Sequence, residues 1–428
     1  MNNNRKNNFY YLIGMGIASA AMLASCSSTG KSTEGNAKQT VADESMGIDD
    51  NYLILSDDQT ATINKVNNFA LKLFNEEIDM ESKVMSPFSV SSLMGMLANG
   101  ASGSTLSQIK KTLGLTDESI ENMNTTFKAF ANYATKSGQA TNIKIANSVV
   151  VNKNIKLKGD FAKSVSSMYD AKVESCDFAS PKTVTKINDW CKTNTNGMIP
   201  SIVNSLDADA VSVLLNAIYF NGTWESKFDK NATKMERFQG YTRDIKRTYM
   251  MHKQAKYMYA KKSNYAAVKL PYSGNKYSMT VILPDAGVSV GDVFKHMSAD
   301  SLSNLSRDMD MYNVDLKLPR FTVSTDLNLN NVISSLGAPS IFKPSADFSK
   351  MSDTDMFVSA MLHKAKIEVT EEGTKAAAVT AAIMTMSSLS PSQELTARFY
   401  ANRPFAYAIT ENTTGAILFI GQFTGDNL

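Results

Sequence analysis

Apolar side chains recur at helical spacing in the first half of this chain and in strand-like runs in the second half. One face of a predicted amphipathic helix is formed by Val66, Phe69, Ala70 and Leu73. The segment 211–219 is apolar at almost every position, which predicts a strand covered on both faces. Further strands are predicted over 277–283, 314–318 and 416–423. Helices followed by strands, without an internal repeat, predict the α+β fold class.

The stretch 376–390 fits no ordinary pattern, because it contains no charged residue, no Gly, no Pro and no aromatic residue. It follows the segment 365–370, whose alternation of apolar and polar side chains predicts a strand. The alanines favour a surface helix, but such a helix would lack a polar face, and β-branched residues such as Val379 and Ile383 lower helix propensity. An exposed coil would leave its aliphatic side chains in water.

A third interpretation is a strand that is exposed at first and becomes buried later. With a period of two, one face of this strand is formed by Thr374, Ala376, Ala378, Thr380, Ala382 and Met384. Most of these side chains are small, so the strand could enter between existing strands without steric clashes. Gly373 supplies a hinge before it, since glycine adopts backbone angles that other residues avoid.

Composition and charge argue against several classes of function. The 428 residues include 43% hydrophobic and 20% charged residues, as in an ordinary globular protein, and the net charge is only +3. No cluster of Lys and Arg with interleaved aromatic residues stands out, so nucleic acid is not expected as a partner. The histidines, at 252, 296 and 363, are far apart in sequence, which argues against a His-rich metal site. No metal or other cofactor is predicted.

The N-terminus has the pattern of a bacterial export signal. Arg5 and Lys6 precede an apolar segment, 9–23, that is too short to span a membrane as a mature helix. The four residues that end at Cys26, Leu-Ala-Ser-Cys, resemble a lipobox, in which Cys26 becomes the lipid-modified first residue after cleavage. A plain signal peptide with a chance cysteine is the alternative.

The domain organisation follows from this pattern. Residues 1–25 are predicted to be a lipoprotein signal peptide, and 26–58 a flexible tether, because this segment is polar and lacks hydrophobic periodicity. Residues 59–428 form the predicted folded domain. Within it, Cys176 and Cys191 could pair in an oxidising compartment or remain buried thiols, and the sequence leaves both alternatives open.

Several short motifs, in a fixed order from about residue 60 to 428, resemble those of the serpin family. Glu371-Glu372-Gly373-Thr374, followed by small residues, is similar to the hinge and reactive-centre loop of that family. The other matching motifs are SPFS at 86–89, GASGST at 100–105, NAIYFNGTW at 216–224, LPY at 270–272, LP at 283–284, LPRF at 318–321, ADFS at 346–349 and RPF at 403–405. The resemblance implies the serpin fold, with helices packed around a large central β-sheet, two smaller sheets and an exposed reactive-centre loop.

The resemblance also implies where a loop would enter that central sheet. The implied loop hinge comprises Glu371, Glu372, Gly373, Thr374, Ala376, Ala377, Ala378 and Thr380. Ser86, Asn216 and His363 match the shutter of the family, and each is polar within an apolar run, so each needs a hydrogen-bond partner if buried. Arg320 and Glu371, beside Trp224, match a basic–acidic pair at the breach, where the loop enters first. The alternatives are a satisfied core histidine and unrelated surface charges.

The function that the resemblance implies is suicide inhibition of a serine protease, and no catalytic residue is expected in this chain. The protease would form an acyl-enzyme with the loop, and insertion of the cut loop would then trap it. The family distance from Glu371 places the cut bond at Ser387–Ser388, and a count shorter by one residue places it at Met386–Ser387. Neighbouring bonds such as Leu389–Ser390 remain open. No Lys or Arg occurs from 376 to 397, so elastase-like or chymotrypsin-like proteases are preferred as targets.

The expected protein is thus a monomer that forms a covalent complex with a target serine protease. A lipid at Cys26 would anchor it in the bacterial cell envelope, on the periplasmic or the surface-exposed face of the outer membrane. One rival hypothesis is a non-inhibitory serpin that acts as a binding or chaperone module. A second is a periplasmic hydrolase, which is disfavoured because the chain lacks a Gly-x-Ser-x-Gly motif.

Overall fold

The structure, a computed structural model, describes residues 53–136, 141–242, 245–374 and 395–428. Within these ranges the helices are α1 (Asp57–Glu77), α2 (Pro87–Gly100), α3 (Gly103–Leu113), α4 (Ile120–Thr135), α5 (Gly159–Tyr169), α6 (Pro181–Asn194), α7 (Val290–Phe294), α8 (Ala299–Arg307) and α9 (Asn330–Ser335). Short 3-10 turns span Lys230–Ala232 and Pro339–Phe342. Most helices precede the strand-rich second half, as the hydrophobic pattern predicts.

The strands form two sheets. They are β1 (Lys83–Met85), β2 (Thr141–Asn152), β3 (Ala171–Cys176), β4 (Ser212–Thr223), β5 (Lys234–Gln239), β6 (Ile245–Lys261), β7 (Tyr265–Pro271), β8 (Tyr277–Pro284), β9 (Asp310–Pro319), β10 (Phe321–Asn328), β11 (Ala360–Thr370), β12 (Gly373–Thr374), β13 (Thr396–Tyr400), β14 (Phe405–Glu411) and β15 (Ile417–Phe423). The predicted strands at 211–219, 277–283, 314–318 and 416–423 correspond to β4, β8, β9 and β15.

The central sheet has six strands in the order β10-β11-β12-β4-β2-β3. The second sheet has nine, and the long strand β6 joins two regions of it. One region, β1-β15-β14-β8-β7, meets the end of β6, whereas β5, β9 and β13 lie with its earlier part. The resemblance implies two smaller sheets, and in this structure the two corresponding regions are joined through β6 into one nine-stranded sheet.

Helix α2 supports the central sheet from within the core. Pro87 occupies its first turn, where the missing N–H costs no hydrogen bond, and Ser86 caps it by accepting the Ser89 N–H at 3.3 Å. All its residues except Asn99 are buried, so it is apolar around its whole circumference, as expected for a helix with neighbours on every side. This places Ser86 directly beneath the central sheet.

The folded domain begins earlier than the predicted boundary at residue 59. Helix α1 starts at Asp57, and its cap is reciprocal: the Gln59 N–H donates to Ser56 Oγ at 3.2 Å, while the Ser56 N–H donates to Gln59 Oε1 at 3.1 Å. Leu53 is buried in the main core. The predicted tether is therefore too long by at least residues 53–58, because a capping box and one buried leucine do not register as hydrophobic periodicity.

Both cysteines of the folded domain are free and buried. Burial raises the pKa of the Cys191 thiol to about 12 and also raises that of Cys176. The disulfide alternative is therefore absent from this structure. None of the helices among the described residues is long and apolar enough to cross a membrane. The same residues contain no group of three His, Cys, Asp or Glu placed to hold a metal ion.

We predict that Leu53→Ala lowers the stability of the domain by about 2 kcal/mol, because it removes a buried side chain next to the α1 cap. Ile54→Ala is the matched control, since Ile54 is 61% exposed and should change stability little. Thermal unfolding at a fixed heating rate measures both. Equal midpoints for the two variants would show that residues 53–58 belong to the tether after all.

Candidate functional site

Two pairs of neighbouring strands in the central sheet are parallel, β2 with β3 and β4 with β11, and the site lies at the second pair. Seven residue pairs join β11 to β4, from Ala360 opposite Val213 to Lys366 opposite Tyr219. Above these pairs the two strands separate, and the two-residue strand β12 lies between them. Since β12 is antiparallel to both neighbours, this end of the sheet already has the hydrogen-bond pattern of an inserted strand.

The predicted hinge, which begins at Glu371, enters this gap at Gly373. Gly373 pairs with Thr223 of β4 and Thr370 of β11, and its φ of 148° is accessible to glycine but strained for other residues. A Cβ atom here would lie 2.1 Å from the carbonyl oxygen of Gly222. Glycine is therefore required for close approach as well as for backbone freedom.

Thr374 is already buried, which corrects the expectation that the hinge is wholly exposed. It pairs with Gly222 and Val369, and its hydroxyl lies 2.7 Å from that of Tyr272. The Tyr272 ring stacks on Trp224 with ring centroids 4.6 Å apart. Alternating hydrophobicity cannot show this, because a threonine suits both an exposed and a buried strand. Thr374→Arg would consequently disturb the native sheet before any loop insertion.

The predicted ion pair at the breach is present. Arg320 Nη2 donates to Glu371 Oε1 at 2.5 Å, and Thr233 Oγ1 donates to the same oxygen at 2.8 Å. Burial would raise the pKa of Glu371, but these hydrogen bonds outweigh it and hold the pKa below its ordinary value. Trp224 donates from Nε1 to the Thr370 carbonyl at 2.9 Å, beside the pair. The backbone at the start of the hinge is thus fixed on both sides.

Glu372 is held separately by two cations. Lys227 Nζ lies 2.9 Å from Glu372 Oε2 and Lys230 Nζ 3.1 Å from Oε1, and these hydrogen bonds lower the pKa of Glu372. The Trp224 N–H also donates to the Glu372 carbonyl at 2.9 Å. The sequence reasoning predicted the two glutamates but missed both lysines, since nothing local relates the segment 227–230 to a loop some 140 residues later.

Ser86, Asn216 and His363 meet beneath the parallel contact, as predicted. The Ser86 N–H donates to His363 Nε2 at 3.0 Å, so this nitrogen accepts and the proton lies on Nδ1. His363 Nδ1 then donates to Asn216 Oδ1 at 2.9 Å. Because His363 and Asn216 are directly opposite each other on β11 and β4, this bond ties the two strands together. Ser86 contributes its backbone here, while its hydroxyl caps α2.

The chain of hydrogen bonds continues through a residue that the sequence reasoning missed. Asn216 Nδ2 donates to Asn147 Oδ1 at 2.9 Å, and Asn147 Nδ2 donates to the Tyr169 carbonyl at 2.9 Å. All of these groups are buried. Asn147 stands within the apolar run of β2, so the same signal that identified Asn216 was available for it.

The remaining predicted site residues lie outside the described residues. They are Ala376, Ala377, Ala378 and Thr380 of the hinge, Met386, Ser387 and Ser388 at the reactive bond, and Cys26 at the lipidation site.

Comparisons with known proteins identify similar sequences and similar folds. A family model described as Serpin (serine protease inhibitor) matches residues 64–425. Leukocyte elastase inhibitor from Sus scrofa is 33% identical over 372 residues, which cover 83% of this chain and 97% of that protein. The Homo sapiens leukocyte elastase inhibitor is 34% identical over 373 residues, with coverage of 83% and 97%.

Two solved structures show the same fold. The native state of tengpin, a thermophilic serpin, superposes with a TM-score of 0.80 at 31% identity and covers 87% of this chain and 95% of its own. A thyroxine-binding globulin in complex with thyroxine gives a TM-score of 0.77 at 26% identity, with coverage of 85% and 99%.

We predict that the native state loses stability below about pH 6.5 because of His363. Burial lowers the pKa of His363 from 6.5 to about 3, so the folded protein resists a proton that the unfolded chain accepts. The stabilisation is complete above the unfolded pKa and falls by roughly 1.4 kcal/mol per pH unit below it, or about 2 kcal/mol at pH 5. Thermal unfolding midpoints between pH 7 and 5 measure this loss.

Two variants test whether His363 causes the loss of stability at low pH. His363→Gln should unfold at lower temperature at pH 7 and show a shallower decline towards pH 5. His296→Gln is the control, because His296 is an exposed histidine and its loss should leave the decline unchanged. The assignment fails if His363→Gln keeps the pH dependence of the unchanged protein.

Proposed function

The chain belongs to the serpin family of serine protease inhibitors, and from this premise we propose that it traps serine endopeptidases covalently by inserting its cut loop into the central sheet. The loop would span the residues between Thr374 and Leu395, which join β12 to β13. The observation that carries the proposal is the position of Gly373 and Thr374, between two strands that are still paired with each other further down the sheet.

Extending the register of β12 gives the path of insertion. Thr374 lies opposite Val369 and Gly222, so each further loop residue would meet the preceding residue of both β11 and β4. Ten residues, 374–383, would fill the sheet down to Ala360 and Val213, where the parallel contact begins. Each of the seven steps from Lys366 to Ala360 would replace one parallel pair by two antiparallel pairs, and parallel pairing is slightly the weaker per residue. Insertion is therefore downhill, and the native state is a kinetic trap.

The side chains suit this path. Val369, Ile367, Ala365, His363 and Met361 of β11 point into the core. The loop residues opposite them would be Thr374, Ala376, Ala378, Thr380 and Ala382, which are all small. Lys375 would face the other side, opposite Glu368, where opposite charges across two strands are favourable. The same register places Thr380 between His363 and Asn216, so insertion must break their hydrogen bond.

Trapping follows from the distance that insertion covers. The protease serine attacks the carbonyl carbon before the cut bond, forms an ester with it, and releases the amide nitrogen as a new N-terminus. A strand of about ten residues is roughly 33 Å long, so the attached protease is carried about that far along the sheet. Its catalytic groups are pulled out of position before water can hydrolyse the ester.

The residues around the bond favour proteases that accept small or apolar side chains. Ser387–Ser388 and Met386–Ser387 both remain candidates for the bond, and neither offers the cation that a trypsin-like pocket requires. The relatives named leukocyte elastase inhibitors support an elastase-like target. The lipid at Cys26 would hold this inhibitor at the cell envelope, where the polar segment after it gives the domain reach.

The decisive experiment mixes the domain with pancreatic elastase and separates the products on a denaturing gel. We expect a band at the summed mass that survives denaturation, together with a released C-terminal peptide whose mass locates the cut bond. Cleavage without that band, and without a rise in the melting temperature of the cleaved domain, would mean that insertion fails. The binding-module hypothesis would then replace the inhibitor hypothesis. Thyroxine-binding globulin, which has the same fold, is an example of a protein that binds a small ligand.

Thr380→Arg tests the register separately. A guanidinium at 380 would have to enter the buried space between His363 and Asn216, so we expect the variant to be cut at the normal rate but to form at least tenfold less covalent complex. Lys375→Arg is the matched control, because the same side chain at 375 would face solvent beside Glu368. The register is wrong if both variants trap elastase equally well.

A further inference from the structure

Strands β5 and β6 form a two-stranded ribbon with one unusual exposed face. Three cross-strand pairs share this face, namely Met235 with Tyr249, Arg237 with Arg247, and Gln239 with Ile245. All six residues are exposed. We call this set the ribbon face, and it contains no acidic residue.

The two arginines of the ribbon face are opposed without compensation. Arg237 and Arg247 stand directly opposite each other, and neither has an ion pair or hydrogen bond within the described residues. Like charges at opposed positions of a sheet destabilise it. Glu236, the neighbouring carboxylate, points to the other side of β5 and binds Lys317 at 2.7 Å. The repulsion between Arg237 and Arg247 is thus not offset by any contact of these two side chains within the described residues.

Exposed apolar side chains lie next to the two arginines on the ribbon face. Met235, Ile245 and Tyr249 are 41%, 58% and 50% exposed, and they are three of the eight large hydrophobic residues that are exposed in the described chain. Arg320 lies over the Tyr249 ring at 5.2 Å and adds a third guanidinium at the border of the ribbon face. Tyrosine, methionine and arginine are the residue types enriched in protein interfaces.

The ribbon face lies beside the root of the reactive loop. The Arg320 N–H donates to the Tyr249 carbonyl at 2.8 Å, and the Arg320 side chain binds Glu371, three residues before Thr374. The strand that receives the other end of the loop, β13, belongs to the same sheet and is two strands from β6. The Tyr249 end of the ribbon face is therefore next to the start of the hinge, within reach of a protease domain about 40 Å across.

We propose that the ribbon face is a second contact for the target protease and that it selects a protease with an acidic surface next to its active-site cleft. This proposal rests on the proposed function, since the partner is the protease that attacks the loop. Carboxylates of the protease would pair with Arg237 and Arg247, and apolar side chains between them would cover Tyr249 and Ile245. Exposed complementary charges chiefly raise the rate of encounter, so the ribbon face acts on association and not on trapping.

A protein surface fits this face better than a sulfated polysaccharide. A polysaccharide would pair with the arginines but would leave the exposed Met235, Ile245 and Tyr249 against a hydrophilic chain. Sites for polyanions are extended tracts of cations, whereas Arg237 and Arg247 are the only cations among the six residues of the ribbon face. Alternating arginine and apolar side chains instead match a segment with both carboxylates and hydrophobic residues.

The test uses one protease with two surface charges, chymotrypsin before and after succinylation of its lysines, each titrated for active sites. The double variant Arg237→Gln/Arg247→Gln should react with the succinylated enzyme at least tenfold more slowly than the unchanged protein at low ionic strength. Its rate with unmodified chymotrypsin should be no lower. The difference should shrink in 0.5 M salt, where exposed charges are screened within about 4–5 Å.

Two controls separate the proposal from simpler explanations. Lys343→Gln/Lys350→Gln removes the same charge from two exposed positions that precede β11 in sequence. This variant should leave the rates with succinylated and unmodified chymotrypsin unchanged. The arginine variant should melt at the same or a higher temperature, because it relieves like-charge opposition. A polysaccharide is tested with heparin: if the arginine variant loses retention on a heparin column while its protease rates stay normal, the proposal is overturned.

The proposal remains testable if trapping itself fails. In that case the loop is cut as a substrate, and its cleavage rate reports the same encounter between protease and ribbon face. Absence of a covalent complex would then count against the proposed function alone. Equal cleavage or association rates for the unchanged protein and the arginine variant, with succinylated chymotrypsin at low salt, would count against the ribbon face alone.

Discussion

The closed arrangement of the central sheet is reinforced by one buried side-chain hydrogen bond between two parallel strands. His363 on β11 donates to Asn216 on β4, and its other ring nitrogen accepts from the backbone of Ser86 at the start of α2. The imidazole therefore joins both strands to the helix beneath them while it remains neutral. Burial enforces that neutrality by lowering the pKa of His363 to about 3. Separation of β11 from β4 requires other hydrogen-bond partners for the His363 and Asn216 side chains. Leaving either of these buried groups unpaired costs roughly 1–3 kcal/mol.

The two ends of the parallel contact differ in strength for a physical reason. At the breach, Arg320 is 44% exposed, so water competes for its charge, whereas the groups around His363 are fully buried. The hinge has already entered at the exposed end, where β12 occupies the gap. Glu371 is the first residue of the hinge and lies before the strand that would insert, so its ion pair with Arg320 could stay in place during the proposed insertion. Under the proposed insertion, resistance to a longer inserted strand would therefore be concentrated in the buried network.

The fold and several contacts among the described site residues could be predicted from the sequence, and the failures have specific causes. Ser86, Asn216 and His363 could be predicted because polar residues within apolar runs are conspicuous and because their motifs resemble a known family. Asn147 gave the same signal and was overlooked. Lys227 and Lys230 could not be found, since only the tertiary fold brings them to Glu372. Arg237 and Arg247 escaped for a similar reason: ten residues apart, they form no cluster until the hairpin places them opposite each other.

The proposed register gives Thr380 a role in opening the buried network. Under the proposed register it would lie between His363 and Asn216 and share their face of the sheet. A hydroxyl is both a donor and an acceptor of hydrogen bonds. Thr380 Oγ1 could therefore accept a hydrogen bond from His363 Nδ1–H and donate one to Asn216 Oδ1. The two groups would then be separated without either being left unpaired at the end of the step. The kinetic barrier to insertion would then arise only while the hydrogen-bond partners are exchanged. Such a barrier would let the native state persist while the loop is intact and let insertion proceed quickly once the loop is cut.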